Sequence, residues 1–324
     1  MRTRPLAVLS FAALSVLVLA GCSASSTDAE ATPTPTATDS SCLLDAQPGD
    51  DSDQITVAGE APELDASVPE GLAFADIQRT VVTEGTGDDL YVGDLVSGAY
   101  QFFDGASGEL LEDSTVTSPD DSGMVPMLLD ASSYSVFVAA LECEPLGSTA
   151  ALTIPGSAFG DDGTSVVLVA QGVEKLPTVA TGDDVAPTDG FPTVELADDG
   201  APTVTLPEGE DPPSKTEIAQ LKQGDGATVK EGDTVFVQYT GVKWSDGSVF
   251  DSSWDRGAPS AFPTTGVVQG FKQALEGQKV GSQVIAVIPP ADGYGEGDIN
   301  EDDLVGETLV FVVDILATQR AVSQ

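Results

Sequence analysis

Thr234-Val235-Phe236-Val237-Gln238-Tyr239-Thr240 alternates along the chain, so an extended backbone places Val235, Val237 and Tyr239 on one face. A period of two marks a strand with one face on a core. Gln283 to Ile288 and Thr308 to Leu316 alternate in the same way and predict two more half-buried strands. Between the first two of these three strands Phe271, Ala274 and Leu275 fall at i, i+3 and i+4 and Gly277 follows, which predicts a short helix with a glycine stop. Several strands and one short helix over about 100 residues make an α+β unit, residues 215–324.

The pattern occurs twice. Glu84-Gly85-Thr86-Gly87, Val92-Gly93-Asp94, Tyr100 and Gly108 stand at one constant offset from Gln223-Gly224-Asp225-Gly226, Glu231-Gly232-Asp233, Tyr239 and Gly247. Further on, Ala140-Leu141-Glu142, Gly147-Ser148 and Ile154-Pro155 match Ala274-Leu275-Glu276, Gly281-Ser282 and Ile288-Pro289. The repeat predicts two similar domains, residues 42–176 and 215–324. The stretch between them, residues 177–214, is rich in Pro, Gly and Asp with only short strand-like pieces such as Thr203-Val204-Thr205-Leu206, and reads as a linker.

Arg2 and Arg4 precede an apolar run from Leu6 to Ala20, the layout of a secretory signal and too short to span a membrane comfortably. The run ends in Leu19-Ala20-Gly21-Cys22, which resembles the lipobox of bacterial lipoproteins. The resemblance implies that residues 1–21 are removed and that Cys22 carries lipid, placing the protein outside the cytoplasm on the cell membrane. Residues 22–41 are rich in Pro, Thr and Ala and read as a tether. Cys42 and Cys143 are then the remaining pair in a compartment where disulfides persist, and a bridge between them is expected, with free thiols as the alternative.

Composition excludes several functions. The 324 residues include 53 acidic and 12 basic side chains, a net charge of −41 that repels phosphate and argues against a nucleic-acid partner. There is no His, which rules out a Ser/His/Asp triad and removes the commonest metal ligand. The acidic run Asp298 to Asp303 lacks the ligand spacing of a calcium loop and reads as a solvated turn. No metal and no cofactor are expected.

The strings Val237-Gln238-Tyr239-Thr240-Gly241, Asp246-Gly247-Ser248-Val249-Phe250-Asp251-Ser252-Ser253 with Arg256, Val267-Val268-Gln269-Gly270-Phe271, Ile288-Pro289-Pro290 with Tyr294-Gly295, and Thr308-Leu309-Val310-Phe311 together resemble the FKBP-type peptidyl-prolyl isomerases. The resemblance implies two FKBP-like domains, each a twisted antiparallel sheet curled around a short helix. It further implies a proline pocket walled by Tyr239, Phe250, Phe262, Val267, Val268 and Phe311, with Phe271 as floor and Asp251 and Tyr294 as polar edge. Tyr239 and Arg256 hold the Asp251 carboxylate in this scheme, and Tyr294 donates to the substrate carbonyl before the proline. Such a pocket needs neither nucleophile nor general base. Its partners are proline-containing segments of exported or unfolded proteins.

The sequence departs from the family at four places. Ser260 replaces an apolar wall residue, and Phe271 stands where eukaryotic members often have Trp. The segment Glu296 to Val305 carries Asp298, Glu301, Asp302 and Asp303 in place of an apolar flap, which leaves macrolide binding open but not peptide turnover. In the first unit Tyr100, Phe137 and Phe159 match Tyr239, Phe271 and Tyr294, but Leu111 and Glu112 replace Phe250 and Asp251, so that domain reads as degenerate, with an altered isomerase as the alternative. Isomerisation of X-Pro bonds is the leading reading, and a non-catalytic chaperone or client-binding module of the cell envelope is its rival.

Overall fold

The computed structural model describes residues 42–43, 46–72, 74–131, 136–159, 163–299 and 304–321. Cys22, the signal segment and the tether lie outside these residues, as do Glu301, Asp302 and Asp303. The first unit comprises strands β1 (Thr56–Ala58), β2 (Asp65–Ser67), β3 (Gln78–Thr83), β4 (Leu95–Asp104), β5 (Leu110–Asp113) and β6 (Val125–Leu128). Helix α1 (Val136–Leu141), β7 (Thr149–Ile154) and β8 (Val166–Lys175) complete it. Next come β9 (Asp183–Asp184), β10 (Thr193–Leu196), β11 (Pro202–Thr205), β12 (Glu217–Gln223), β13 (Thr234–Lys243) and β14 (Val249–Ser252). The chain finishes with α2 (Ser253–Arg256), β15 (Ser260–Pro263), α3 (Gln269–Leu275), β16 (Gln283–Ile288) and β17 (Leu309–Gln319).

Each unit is an antiparallel sheet around one helix. The first has the order β3-β7-β8-β4-β5 with β6 also pairing β4, and the second β14-β13-β17-β16-β12-β9 with β15 also pairing β13. The three sequence-predicted strands and the helix of the second unit are all present. Helix α3 buries Phe271, Ala274 and Leu275 against Val235, Val237, Tyr239, Ile288, Phe311 and Val313. It stops where Gly277 turns to φ 83°, a conformation that side chains with a Cβ resist.

The strands are not half-buried. Every residue of β16, and every residue of β17 before Gln319, is buried, because the outer face of the sheet is covered too. Outward-pointing Ile285, Val287, Val310 and Val312 pack under Phe191, Val194, Val204 and Leu206 of the β10-β11 hairpin. The segment expected to be a linker is therefore folded onto the second unit. Its composition suits tight turns as well as it suits a connector, and single-residue patterns do not distinguish the two.

The first unit is covered in the same way. Leu64, Val68, Leu72 and Phe74, on and around the β1-β2 hairpin, pack on Ala99, Phe103, Val167 and Val169. Ala61-Pro62 and Val68-Pro69-Glu70-Gly71 have counterparts in Ala201-Pro202 and Leu206-Pro207-Glu208-Gly209, so the repeat extends to the hairpins.

The units share an interface. Leu95, Leu128 and Leu176 of the first pack on Phe236, Leu316 and Ala317 of the second. The Arg320 backbone N–H donates to the Thr117 carbonyl at 2.8 Å, and its guanidinium donates to the Pro119 carbonyl at 2.6 Å while also pairing with buried Asp233. Cys42 is bridged to Cys143 across 101 residues, as expected. Closing a loop of this length is worth up to about 5 kcal/mol by chain entropy.

Two outcomes follow for measurement. A fragment beginning at Pro177 should give a cooperative melt, whereas one beginning at Lys215 should bind a hydrophobic dye and melt lower. Each uncovered outer-face contact costs on the order of 1 kcal/mol. Equal melts for both fragments would show the hairpin to be dispensable. Non-reducing peptide mapping of the purified protein should yield Cys42 and Cys143 in one linked species, and two alkylated thiols would contradict it.

Candidate active site

Five aromatic rings line the concave face of the second sheet beside α3. Phe271 stands 4.8 Å from Phe311, 6.0 Å from Phe262 and 6.0 Å from Tyr239, centroid to centroid. Phe250 lies 5.4 Å from Phe311, nearly perpendicular to it, and Tyr239 lies 5.7 Å from Phe262. These edge-to-face contacts are the favoured geometry for aromatic pairs and hold the rings as one cup. Phe271 and Phe311 are buried, while Phe250, Phe262, Val267 and Val268 are only partly covered. The arrangement is a floor with an accessible wall.

The strand register explains the set. Val237, Tyr239 and Gly241 alternate inward on β13, and Gly241 pairs with Phe311 of β17. A Cβ on Gly241 would come within 2.6 Å of the Phe250 ring, so this glycine is what admits Phe250 to the cup. Gly241 closes the Val237–Gly241 motif, where its neighbours in sequence give no sign of this role. Leu304, also not foreseen, packs against the same cluster.

A polar edge closes one side. The Tyr239 hydroxyl donates to the Asp251 carboxylate and accepts from Arg256 Nη2 at 2.9 Å, and Arg256 pairs with Asp251 in turn. The guanidinium also lies over the Tyr239 ring, 5.4 Å from its centroid. Burial, reinforced by the Asp251 hydrogen bond and opposed by that of Arg256, pushes the Tyr239 phenol up to about 12. It therefore stays a neutral donor at physiological pH. For Arg256, burial opposes the charge, but the bonds to Asp251 and Tyr239 win and raise its pKa. Ser260 accepts from Arg256 at 3.2 Å, so the residue that departs from the family pattern joins the polar edge.

Tyr294 does not stack in the cup. It is 51% exposed, on the loop that follows the Pro290–Asp292 turn. This loop is pinned by the Gly295 N–H donating to the Pro290 carbonyl at 2.8 Å and the Gly306 N–H donating to the Gly295 carbonyl at 2.8 Å. Nine of the expected site residues, Tyr239, Phe250, Asp251, Arg256, Phe262, Val267, Val268, Phe271 and Phe311, are thus brought together, and Tyr294 stands exposed outside the cluster. Among the described residues no group of three acidic or sulfur ligands could hold a metal ion.

The first unit shows what the glycine does. Phe102 pairs with Leu168 where Gly241 pairs with Phe311, and its ring lies 5.3 Å from Tyr100. Phe102 thus projects from the strand position that the Phe250 ring overlies in the second unit, and Leu111 in the Phe250 position is 50% exposed. Met127 takes the register position of Phe262 and is 1% exposed. Burial, with the hydrogen bond to Glu112, raises the Tyr100 phenol, and Thr117 stands at 3.3 Å where Arg256 stands in the second unit. The first unit thus keeps the tyrosine and changes the wall around it, with Phe102, Leu111 and Met127 in the places of Gly241, Phe250 and Phe262.

An apolar cup with one neutral donor edge offers no nucleophile and no proton relay, and it suits binding of a small apolar ring beside a peptide group. The model of the FKBP-type peptidyl-prolyl cis-trans isomerase family matches residues 226–316. The chain is 41% identical over 106 residues to the probable FK506-binding protein of Corynebacterium glutamicum, covering 32% of this chain and 88% of that protein. It is 40% identical over 112 residues to the FK506-binding protein of Streptomyces anulatus, covering 34% of this chain and 90% of that one. With the FKBP-type 22 kDa peptidyl-prolyl cis-trans isomerase of Escherichia coli the identity is 44% over 96 residues, 30% of this chain and 46% of the relative. The chain belongs to the FKBP-type peptidyl-prolyl cis-trans isomerases, and its second unit is the part that places it there.

Proposed function

We propose that the second unit isomerises X-Pro bonds of exported proteins by binding the twisted amide in the aromatic cup. The observation that carries this reading is the cup itself, left open by Gly241 and edged by the Tyr239-Asp251-Arg256 cluster. Rotation about the planar amide costs about 18 to 20 kcal/mol because it breaks conjugation. Uncatalysed exchange takes roughly tens to hundreds of seconds. The proline ring sits on Phe271 and Phe311 between Phe250, Phe262, Val267 and Val268. Water is kept from the carbonyl, whose charge separation falls as the bond twists, so the cup fits the twisted form better than either planar one. Tyr294 holds the carbonyl before the proline.

The altered wall of the first unit, with Phe102, Leu111 and Met127 in the places of Gly241, Phe250 and Phe262, supports a non-catalytic role for that domain. Export and a lipid anchor on Cys22 fit the apolar leader, and the Cys42–Cys143 bridge fits an oxidising compartment. Two acyl chains suffice for stable membrane attachment where one gives marginal binding.

In a protease-coupled assay on proline peptides, Phe250→Ala should lower kcat/KM by roughly ten- to thirtyfold through loss of an apolar wall. Asp251→Val should also lower it by freeing Tyr239. Tyr294→Phe should cost about 0.5 to 1.5 kcal/mol, a three- to tenfold effect. If Phe250→Ala turns over like the parent, the cup is not the site. Labelling with a radioactive fatty acid should mark the wild type and not Cys22→Ser, and equal labelling would rule out this anchor.

A further inference from the structure

The turn between β3 and β4 of the first unit abuts the loop that carries Arg256. A Cβ placed on Gly93 would stand 3.5 Å from the Ala258 Cβ and 3.6 Å from the Gly257 carbonyl oxygen. Gly257 and Ala258 directly follow Arg256, whose guanidinium bonds the Tyr239 hydroxyl at 2.9 Å. The turn is firmly held. The Tyr91 N–H donates to Asp94 at 2.8 Å, the Asp94 N–H to the Tyr91 carbonyl at 3.0 Å, and the Gly93 N–H to the Leu129 carbonyl at 2.8 Å. Lys175 pairs with Asp94 at 2.8 Å.

On this turn Tyr91 and Val92 are 40% and 36% exposed. The turn geometry does not require apolar residues there. In the second unit the equivalent turn is Lys230-Glu231-Gly232-Asp233, closed by the same Lys230 N–H to Asp233 bond at 2.8 Å, and Glu231 pairs with Lys272. Two charged residues satisfy that turn where it does not adjoin a site. Where it adjoins the Arg256 loop, the chain exposes a tyrosine and a valine on a rigid support.

We propose that Tyr91 and Val92 form a second contact for the client segment whose proline occupies the cup, selecting segments with an aromatic or large apolar residue near the proline. The inference rests on the isomerase reading of the second unit. From Val92 through the Gly93–Gly257 contact to Arg256 is about 10 to 15 Å, which an extended peptide spans in roughly three to five residues. The occupant is the client itself because the turn that carries Tyr91 and Val92 touches Gly257 and Ala258, which directly follow Arg256 of the polar edge. An apolar side chain laid on Tyr91 and Val92 removes both from water, and a rigid turn loses little entropy in receiving it.

The full chain and its Tyr91→Ser/Val92→Ser variant decide the matter with three probes. These are a proline tetrapeptide, a dodecapeptide with a central Leu-Pro bond and Phe four residues away on each side, and the same dodecapeptide with Ser in place of Phe. Exchange is read by NMR. The wild type should show a KM for the Phe peptide roughly three- to tenfold below that for the Ser peptide. The double variant should lose this preference and turn over the tetrapeptide like the wild type. The proposal is overturned if the wild type has no preference, if the variant keeps it, or if the tetrapeptide rate falls in parallel, which would make the turn a mere support for Arg256. If the wild type does not turn over the tetrapeptide, the isomerase reading fails. Fluorescence anisotropy of the labelled Phe dodecapeptide then still tests the contact, with at least threefold weaker binding by the variant expected and equal binding refuting it.

Discussion

The long antiparallel pairing of β13 with β17 is the constraint on which the rest of the second unit depends. Its register runs from Thr234 opposite Gln319 to Lys243 opposite Leu309, with one irregularity between Phe236 and Val237. Because side chains alternate across a strand, this register sends Tyr239, Gly241, Phe311 and Val313 inward together and leaves Val242, Val310 and Val312 outward. A slip of one residue would exchange the two sets and dismantle the cup. The same strand delivers Gln319 and Arg320 to the first unit, so site and domain interface are consequences of one hydrogen-bonded ladder.

Two copies of one fold differ at the strand position of Gly241, which is Phe102 in the first unit. Gly241 leaves room for a ring from the edge strand, and the cup stays accessible. Phe102 puts a ring there from the central strand, and the neighbouring Leu111 is left half-exposed. Interiors pack close to crystal density, so the space beside this strand position holds one ring only, from the edge strand in the second unit and from the central strand in the first. The first unit keeps the hydrogen bond of Tyr100 to an acidic partner, with Thr117 rather than an arginine beside the hydroxyl. What it supplies instead is surface: a hydrophobic face for the second unit, a carbonyl pair for Arg320, and a turn against the Arg256 loop.

Both sheets carry apolar residues on two faces, and in each a hairpin that precedes the sheet in sequence covers the outer one. The β1-β2 and β10-β11 hairpins are the same element in the two repeats, with left-handed glycines in the turns at Gly59 and Gly200. The repeating unit is thus hairpin plus curled sheet. An outer face built from Ile285, Val287, Val310 and Val312 cannot be left in water, since each such side chain is worth about 1.5 to 3 kcal/mol when fully buried.

The sequence by itself determined the tandem repeat, the strand alternation, the helix with its glycine stop, the linked cysteine pair and nine residues that meet around the cup. These are legible because period, special glycines and an ordered set of aromatics are local or family-borne signals. Tertiary structure alone decided that residues 177–214 fold as a cover, that strands which alternate are buried on both faces, and that Gly241 is the position over which the Phe250 ring enters the cup. The reason is that burial and pocket volume depend on what the chain brings from a distance. No window around Val310 contains Val204, and none around Phe250 contains Phe311.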